Sequence, residues 1–163
     1  MGEVPVKTYT GETIKSVIGT EIGVSGWVTI TQDMINQFAA ITGDPVEIHT
    51  NVELAKQTPF GGTIAHGLLS LSMLGGFAPA APLLMEGITM GLNYGFNKVR
   101  FIAPVKTGSR LRGRFFLRDM QDQGGGKWLS TMDVTIEIEG EEKPALVAEW
   151  LGMQFVRETA LAS

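Results

Sequence analysis

From Gln57 to Met85 the chain carries no Asp, Glu, Lys or Arg. An element without charge on any side has no solvent face to offer, so something must cover it all round. Lipid or a protein core can do so. A membrane helix needs about 20 mostly apolar residues, and here His66, Ser70, Ser72, Pro79, Pro82 and several glycines interrupt the run. The reading is a helix buried in the core of a soluble domain, with no membrane segment. Thr58-Pro59-Phe60-Gly61-Gly62 makes a turn-rich entrance. Ile64 to about Ala80 is then expected as the central helix, about 17 residues and so roughly 25 Å long. Gly67, Gly75 and Gly76 each cost about 1 kcal/mol against alanine in a helix. That cost suits places where a sheet or another backbone comes close.

The material to cover this helix lies downstream. After Pro82 the hydrophobic period changes, and Leu92 to Phe101, Arg110 to Met120, Lys127 to Glu139 and Ala145 to Val156 read as strands. In the third, Trp128, Met132, Val134, Ile136 and Ile138 share one face, while Thr131, Asp133, Thr135, Glu137 and Glu139 share the other. Turns at 104–108, 123–126 and 140–143 suit antiparallel hairpins. Upstream, Met1 to Tyr9 is expected to be a loosely held arm, within residues 1–10. Thr13 to Ile18 reads as a short helix ended by Gly19, and Trp27 to Thr31 as a short first strand. Thr31 caps a helix with Asp33 in its first turn. On that helix Met34, Ile35, Phe38 and Ile41 share a face, and Gly43 ends it. Asp44 to Thr50 is expected to be an irregular loop. Thr50-Asn51-Val52-Glu53 then has the capping-box pattern for a short helix to about Gln57. The expected architecture is α+β, an antiparallel sheet around one long helix, in a single domain over 1–163. A long sheet covered on one side invites pairing with a second copy, so a homodimer is expected.

Composition removes several functions. The net charge is −4, against the basic stripe of a nucleic-acid binder. There is no cysteine and there are only two histidines, which leaves no disulfide and makes no case for a metal site. No basic patch followed by an apolar run opens the chain, so a cytoplasmic location is expected. Gly61-Gly62 lacks the lysine of a phosphate loop, and Ser70 and Ser72 lack the G-x-S-x-G elbow of a serine hydrolase. Arg110, Arg112 and Arg114 fall on one strand face, either as a solvated face or as a site for phosphates.

Two places hold chemistry. Asp44 and His49 stand five residues apart, with Gly43 and Pro45 excluding a regular helix around Asp44. A carboxylate and an imidazole that turn toward one point can hold and activate one water, which suits adding water to a polarised double bond or removing it. The other reading makes Asp44 an Asx-turn acceptor and His49 a surface residue. At Ala65-His66-Gly67 a helix start offers free N–H groups, and a glycine there lets an oxygen approach the backbone and share developing charge. Close packing of helix on sheet explains the same glycine. His66 reads as structural, its N–H bonded within the first turn of the helix.

The two places together resemble a known family. Gly-Asp-Pro-Val-Glu-Ile-His at 43–49 and Pro-Phe-Gly-Gly-Thr-Ile-Ala-His-Gly at 59–67 are similar to the motifs of the MaoC-like hydratases, which include the R-specific enoyl-CoA hydratases. Met-Gly-Leu-Asn-Tyr-Gly-Phe-Asn-Lys-Val-Arg-Phe at 90–101 resembles the nodulation-protein-N branch. Val46-Glu47 departs from the usual Asn-Pro, and Gly75 stands where some R-hydratases carry a serine. The resemblance implies a hot-dog fold, usually dimeric, and an enzyme of fatty acid metabolism that hydrates a trans-2-enoyl thioester to an R-3-hydroxyacyl thioester. It makes Asp44 and His49 the catalytic pair and Gly67 the oxyanion donor. Phe60 and Asn93 are further candidates for substrate binding. It implies no metal and no cofactor beyond the coenzyme A of the substrate, and a partner that is an acyl-CoA or acyl-carrier-protein thioester. The alternatives are a hot-dog acyl-CoA thioesterase, or an acyl-thioester-binding dimer without activity.

Overall fold

The downstream strands form the larger part of a six-stranded antiparallel sheet. The computed structural model describes residues 7–157. The chain begins with β1 (Thr8–Tyr9), one 3-10 turn at Thr13–Ser16, β2 (Thr20–Val24) and β3 (Val28–Thr29). Five helical elements follow: α1 (Gln32–Thr42), α2 (Glu47–Thr50), α3 (Val52–Ala55), α4 (Gly67–Ser72) and α5 (Leu74–Phe77). A 3-10 turn at Ala78–Ala80 leads to β4 (Leu84–Met85), β5 (Ile88–Phe101), β6 (Arg110–Gly124), β7 (Lys127–Ile138) and β8 (Leu146–Val156). The sheet order is β2-β6-β7-β8-β5, with β3 also on β6, while β1 and β4 form a separate parallel pair.

One face of the sheet packs on α4 and α5. Leu69, Leu74 and Phe77 join Leu111, Phe115, Val134, Ile136 and Leu146 in a single core. The alternation expected for β7 holds, since Val134, Ile136 and Ile138 are buried. On α1 the Thr31 hydroxyl caps Met34 N–H at 3.2 Å as expected. Its apolar face runs out early, for Ile35 is buried but Ile41, expected beside it, is 84% exposed.

Four expectations need correction. The N-terminal arm is not loose at its end: Thr8 and Tyr9 pair with Leu84 and Met85, and Tyr9 is buried with Ile14, Leu83, Met85, Leu117 and Met120. Residues 1–6 lie outside the described residues. β2 was not expected at all; Gly23, in its middle, lies where an added Cβ would be 2.2 Å from the Ala80 carbonyl oxygen. β5 starts at Ile88 rather than Leu92, its alternation obscured by register shifts near Met90 and Gly95.

The central helix starts three residues late and is broken. Ile64 bridges Lys106 and Ala65 N–H donates to the Val105 carbonyl at 2.7 Å, so both residues belong to an extended segment, as does His66 with ψ 138°. The helix divides at Met73 and tightens to 3-10 before Pro82. It also keeps one open face: Leu68, Ser72, Gly75, Gly76 and Pro79 are exposed, and nothing lies within 4 Å of a Cβ built on Gly75 or Gly76. Among the described residues no helix is long and apolar enough to cross a membrane.

The other sheet face is a charge ladder. Arg110 pairs with Glu139, Arg112 and Arg114 with Glu137, Arg114 also with Glu21, and Arg118 with Asp133 and Glu149. Burial pushes the Glu137 carboxyl up, but the hydrogen bonds and charges of Arg112 and Arg114 outweigh it and hold it below the ordinary carboxylate value. Arg110, Arg112 and Arg114 therefore satisfy strand neighbours, as a solvated face does.

Candidate active site

α1 ends on Gly43, whose φ of 70° is left-handed and costs glycine little. Gly43 N–H and Asp44 N–H both donate to the Ala39 carbonyl, which turns the chain off the helix axis at Asp44. Pro45 and Val46 then lead into α2. The segment expected as an irregular loop is thus half helical, and His49 lies on its single turn. The next helix is capped by Asn51, whose side chain accepts from Leu54 N–H at 3.1 Å. The expected cap, Thr50, instead turns its hydroxyl back to the carbonyls of Pro45 and Val46.

The proton positions follow from the partners. His49 Nδ1 is 2.7 Å from the Ile64 carbonyl oxygen. A carbonyl only accepts, so Nδ1 carries the proton and the neutral ring keeps a lone pair on Nε2. His66 Nε2 is 3.0 Å from the Asp44 carbonyl oxygen and donates to it. This corrects the expectation for His66: its N–H reaches across to the Asp44 backbone rather than staying in the helix's first turn. The His66 ring is 4% exposed and stacks on His49 with centroids 3.8 Å apart, and Phe38 packs on it at 5.1 Å. Its Nδ1 has no partner among the described residues.

Asp44, His49 and His66 each place one polar atom within 4.8 Å of the others. Two groups each about 2.8 Å from one water stand about 4.6 Å apart at a tetrahedral angle, which lies within this limit. The Asp44 carboxylate is half-exposed, with Oδ2 3.9 Å from His66 Nε2. The same three groups are those that could approach a metal ion together, with one nitrogen of each ring already committed to a carbonyl.

Two hollows meet at His49. One, about 430 Å³, is lined by Asp44, His66, Phe38 and Leu68. The other, about 230 Å³, is lined by Ser70, Ala103, Val105 and Ala145. Gly67 and Phe101 border both. A Cβ on Gly67 would lie 2.9 Å from the Phe101 ring, so glycine is what lets the ring sit there. As the first residue of α4, Gly67 has an N–H that the helix itself cannot satisfy. The structure therefore brings Asp44, His49 and Gly67 to one place. It does not bring Phe60 or Asn93 there: neither lines these two hollows. Phe60 sits in the Thr58 turn, and Asn93 Oδ1 accepts from Trp150 Nε1 at 2.7 Å. Sequence reasoning missed Gln32, Thr63 and Thr107, which bond together behind His49. They are far apart in the chain and form no motif.

Comparison with known proteins identifies the family. Residues 13–138 match the family model described as MaoC like domain. Over 139 residues the chain is 48% identical to Nodulation protein N of Rhizobium leguminosarum bv. viciae, which covers 85% of this chain and 86% of the relative. Over 136 residues it is 44% identical to 3-hydroxyacyl-thioester dehydratase Z of Mycobacterium tuberculosis, covering 83% of this chain and 89% of the relative. Among solved structures, an unliganded R-hydratase of Pseudomonas aeruginosa superimposes with a TM-score of 0.69 at 24% identity, over 86% of this chain and 83% of that one. The (R)-hydratase of A. caviae gives 0.66 at 21%, over 81% and 95%. At these identities the superpositions establish the fold, which is the hot-dog fold. The family model spans most of the chain and the relatives match along most of their length: the chain belongs to the MaoC-like dehydratase family.

Proposed function

We propose that the protein adds water reversibly to a trans-2-enoyl thioester to give an R-3-hydroxyacyl thioester. The observation that carries this reading is that Asp44 and His49 bring polar atoms within 4.8 Å of one another, with His49 Nε2 left as an acceptor by the bond from Nδ1 to the Ile64 carbonyl. The Asp44 carboxylate orients the water and His49 Nε2 takes its proton as the oxygen bonds to C3. The proton held by the pair goes to C2. The Gly67 N–H holds the thioester oxygen while negative charge develops on it. Water supplies both the hydroxyl and the hydrogen, so the reaction balances without a redox partner, and this reading uses no metal. The name of the mycobacterial relative, a 3-hydroxyacyl-thioester dehydratase, supports the substrate class. Coenzyme A and acyl carrier protein share the phosphopantetheine arm, and either serves as the carrier.

The test is to mix the protein with crotonyl-CoA, follow the conjugated enoyl absorbance, and assay free thiol in parallel. Loss of absorbance without thiol is the expected result. Thiol release would make the protein a thioesterase; no change across acyl chain lengths would leave a binding module.

A homodimer is part of the reading. β5 is a sheet edge, and Met90, Leu92 and Tyr94 on it are 47, 49 and 62% exposed. Long apolar edges are templates for pairing. The uncharged open face of α4 and α5 adds small residues that admit a second backbone. Light scattering should give twice the 17.6 kDa chain mass; a monomer at micromolar concentration would overturn it.

A further inference from the structure

His49 stands on a helix of four residues with no side-chain cap. One turn is too short to hold itself, because nucleation fixes several residues for each hydrogen bond gained. Its shape must come from tertiary bonds. The carbonyl of His49 is one that a helix end leaves without an internal partner, and Gln32 Nε2 donates to it at 2.7 Å. Gln32 is itself held at every polar position. Its Oε1 accepts from the Thr63 hydroxyl at 2.5 Å and faces that of Thr107 at 3.2 Å. The two hydroxyls lie 2.7 Å apart, and Gln32 Nε2 also donates to Asn36 Oδ1 at 2.9 Å. The reverse orientation of the amide would set its oxygen against the His49 carbonyl oxygen, so the network fixes which way it points.

The same cluster controls the other grip on His49. Thr63 is 4% exposed, and its carbonyl accepts from Thr107 N–H at 3.0 Å. The next residue, Ile64, offers the carbonyl that takes the proton of His49 Nδ1, and its own N–H returns to the Ile48 carbonyl at 3.1 Å. Backbone and ring of His49 are therefore both referred to the Gln32–Thr63–Thr107 cluster. A free neutral imidazole favours the tautomer with the proton on Nε2, the opposite of the one held here.

We propose that Gln32, locked by Thr63 and Thr107, is the positioning residue that holds His49 in the Nδ1–H tautomer with Nε2 open to the hollow. The kinetic part rests on the reading of His49 as the proton acceptor; the tautomer part does not. Gln32→Leu removes the donor to His49 and leaves one of the two hydroxyls, which still bond each other, without an acceptor. Misplacing a reacting group by about 1 Å can cost on the order of 100-fold, so Gln32→Leu should lower kcat by about 10- to 100-fold with KM within about twofold. Added to His49→Gln it should cost nothing further, because the residue it positions is gone.

The deciding measurement is the long-range proton–nitrogen spectrum of the imidazole rings, recorded for the wild type and Gln32→Leu with no substrate. The wild type should show neutral His49 only with its proton on Nδ1, and Gln32→Leu should show both tautomers. If Gln32→Leu does not fold, Thr107→Val is read in the same way. A variant that keeps the single tautomer overturns the proposal, as does an equal loss of kcat with and without His49. A mixed tautomer in a protein that hydrates no enoyl thioester supports the positioning and rejects the reaction, so the two failures are distinct.

Discussion

Asp44→Asn and His49→Gln should each lower the turnover of hydration by about 100- to 10,000-fold, the range for a positioned acid or base. The double variant should be little worse than the slower single one, since groups that act on one water are not additive. The two substitutions differ in what they do to the fold. The Asp44 side chain is half-exposed, and its distance to His66 of 3.9 Å is too long for a hydrogen bond. Asp44→Asn should leave stability within about 0.5 kcal/mol, as surface changes do. His49→Gln loses the 2.7 Å bond to Ile64 and the stacking on His66, so its turnover is normalised to folded protein by circular dichroism. If either variant retains more than about a tenth of wild-type turnover, less than the weakest acid–base contribution is lost, and that residue is not catalytic.

Gly67 should show an effect of similar size, provided that two changes are compared. Gly67→Pro removes the N–H proposed to hold the thioester oxygen. Proline is tolerated at the first position of a helix, and His66 at ψ 138° already has the extended conformation that a residue before proline needs. Any Cβ at this position meets the Phe101 ring at 2.9 Å, which by itself disturbs the hollow. Gly67→Ala has that contact and keeps the N–H. Turnover of the proline variant should fall about 100- to 1,000-fold below that of the alanine variant, the cost of one oxyanion donor. Equal turnover in the two would mean that the N–H takes no part.

Much of this site was legible because its chemistry is local in sequence. Gly43 and Pro45 break the helix around Asp44, and the helix that Gly67 opens was read from the sequence within three residues of its start. The sheet was legible where alternation is clean, as in β7, and less so in β5, whose register shifts at three places. What the sequence hid was non-local. The early extension of Ile64 and Ala65 depends on the Val105–Lys106 backbone, far downstream. The bond from His66 to the Asp44 carbonyl, and the Gln32 cluster, join residues that no window of the sequence contains together. Tyr9 read as part of a tail because a two-residue strand has no period to detect, yet its burial against Met85 and Leu117 fixes it.

The central claim is that water held by Asp44 and His49 attacks C3 and not the thioester carbonyl. It is tested most directly by converting crotonyl-CoA in water enriched in oxygen-18 and locating the label by mass spectrometry. The expected product is intact 3-hydroxybutyryl-CoA with the label on the C3 hydroxyl, in the R configuration, and with almost none formed by Asp44→Asn. Label in the carboxylate of free crotonate, with coenzyme A released, would contradict it.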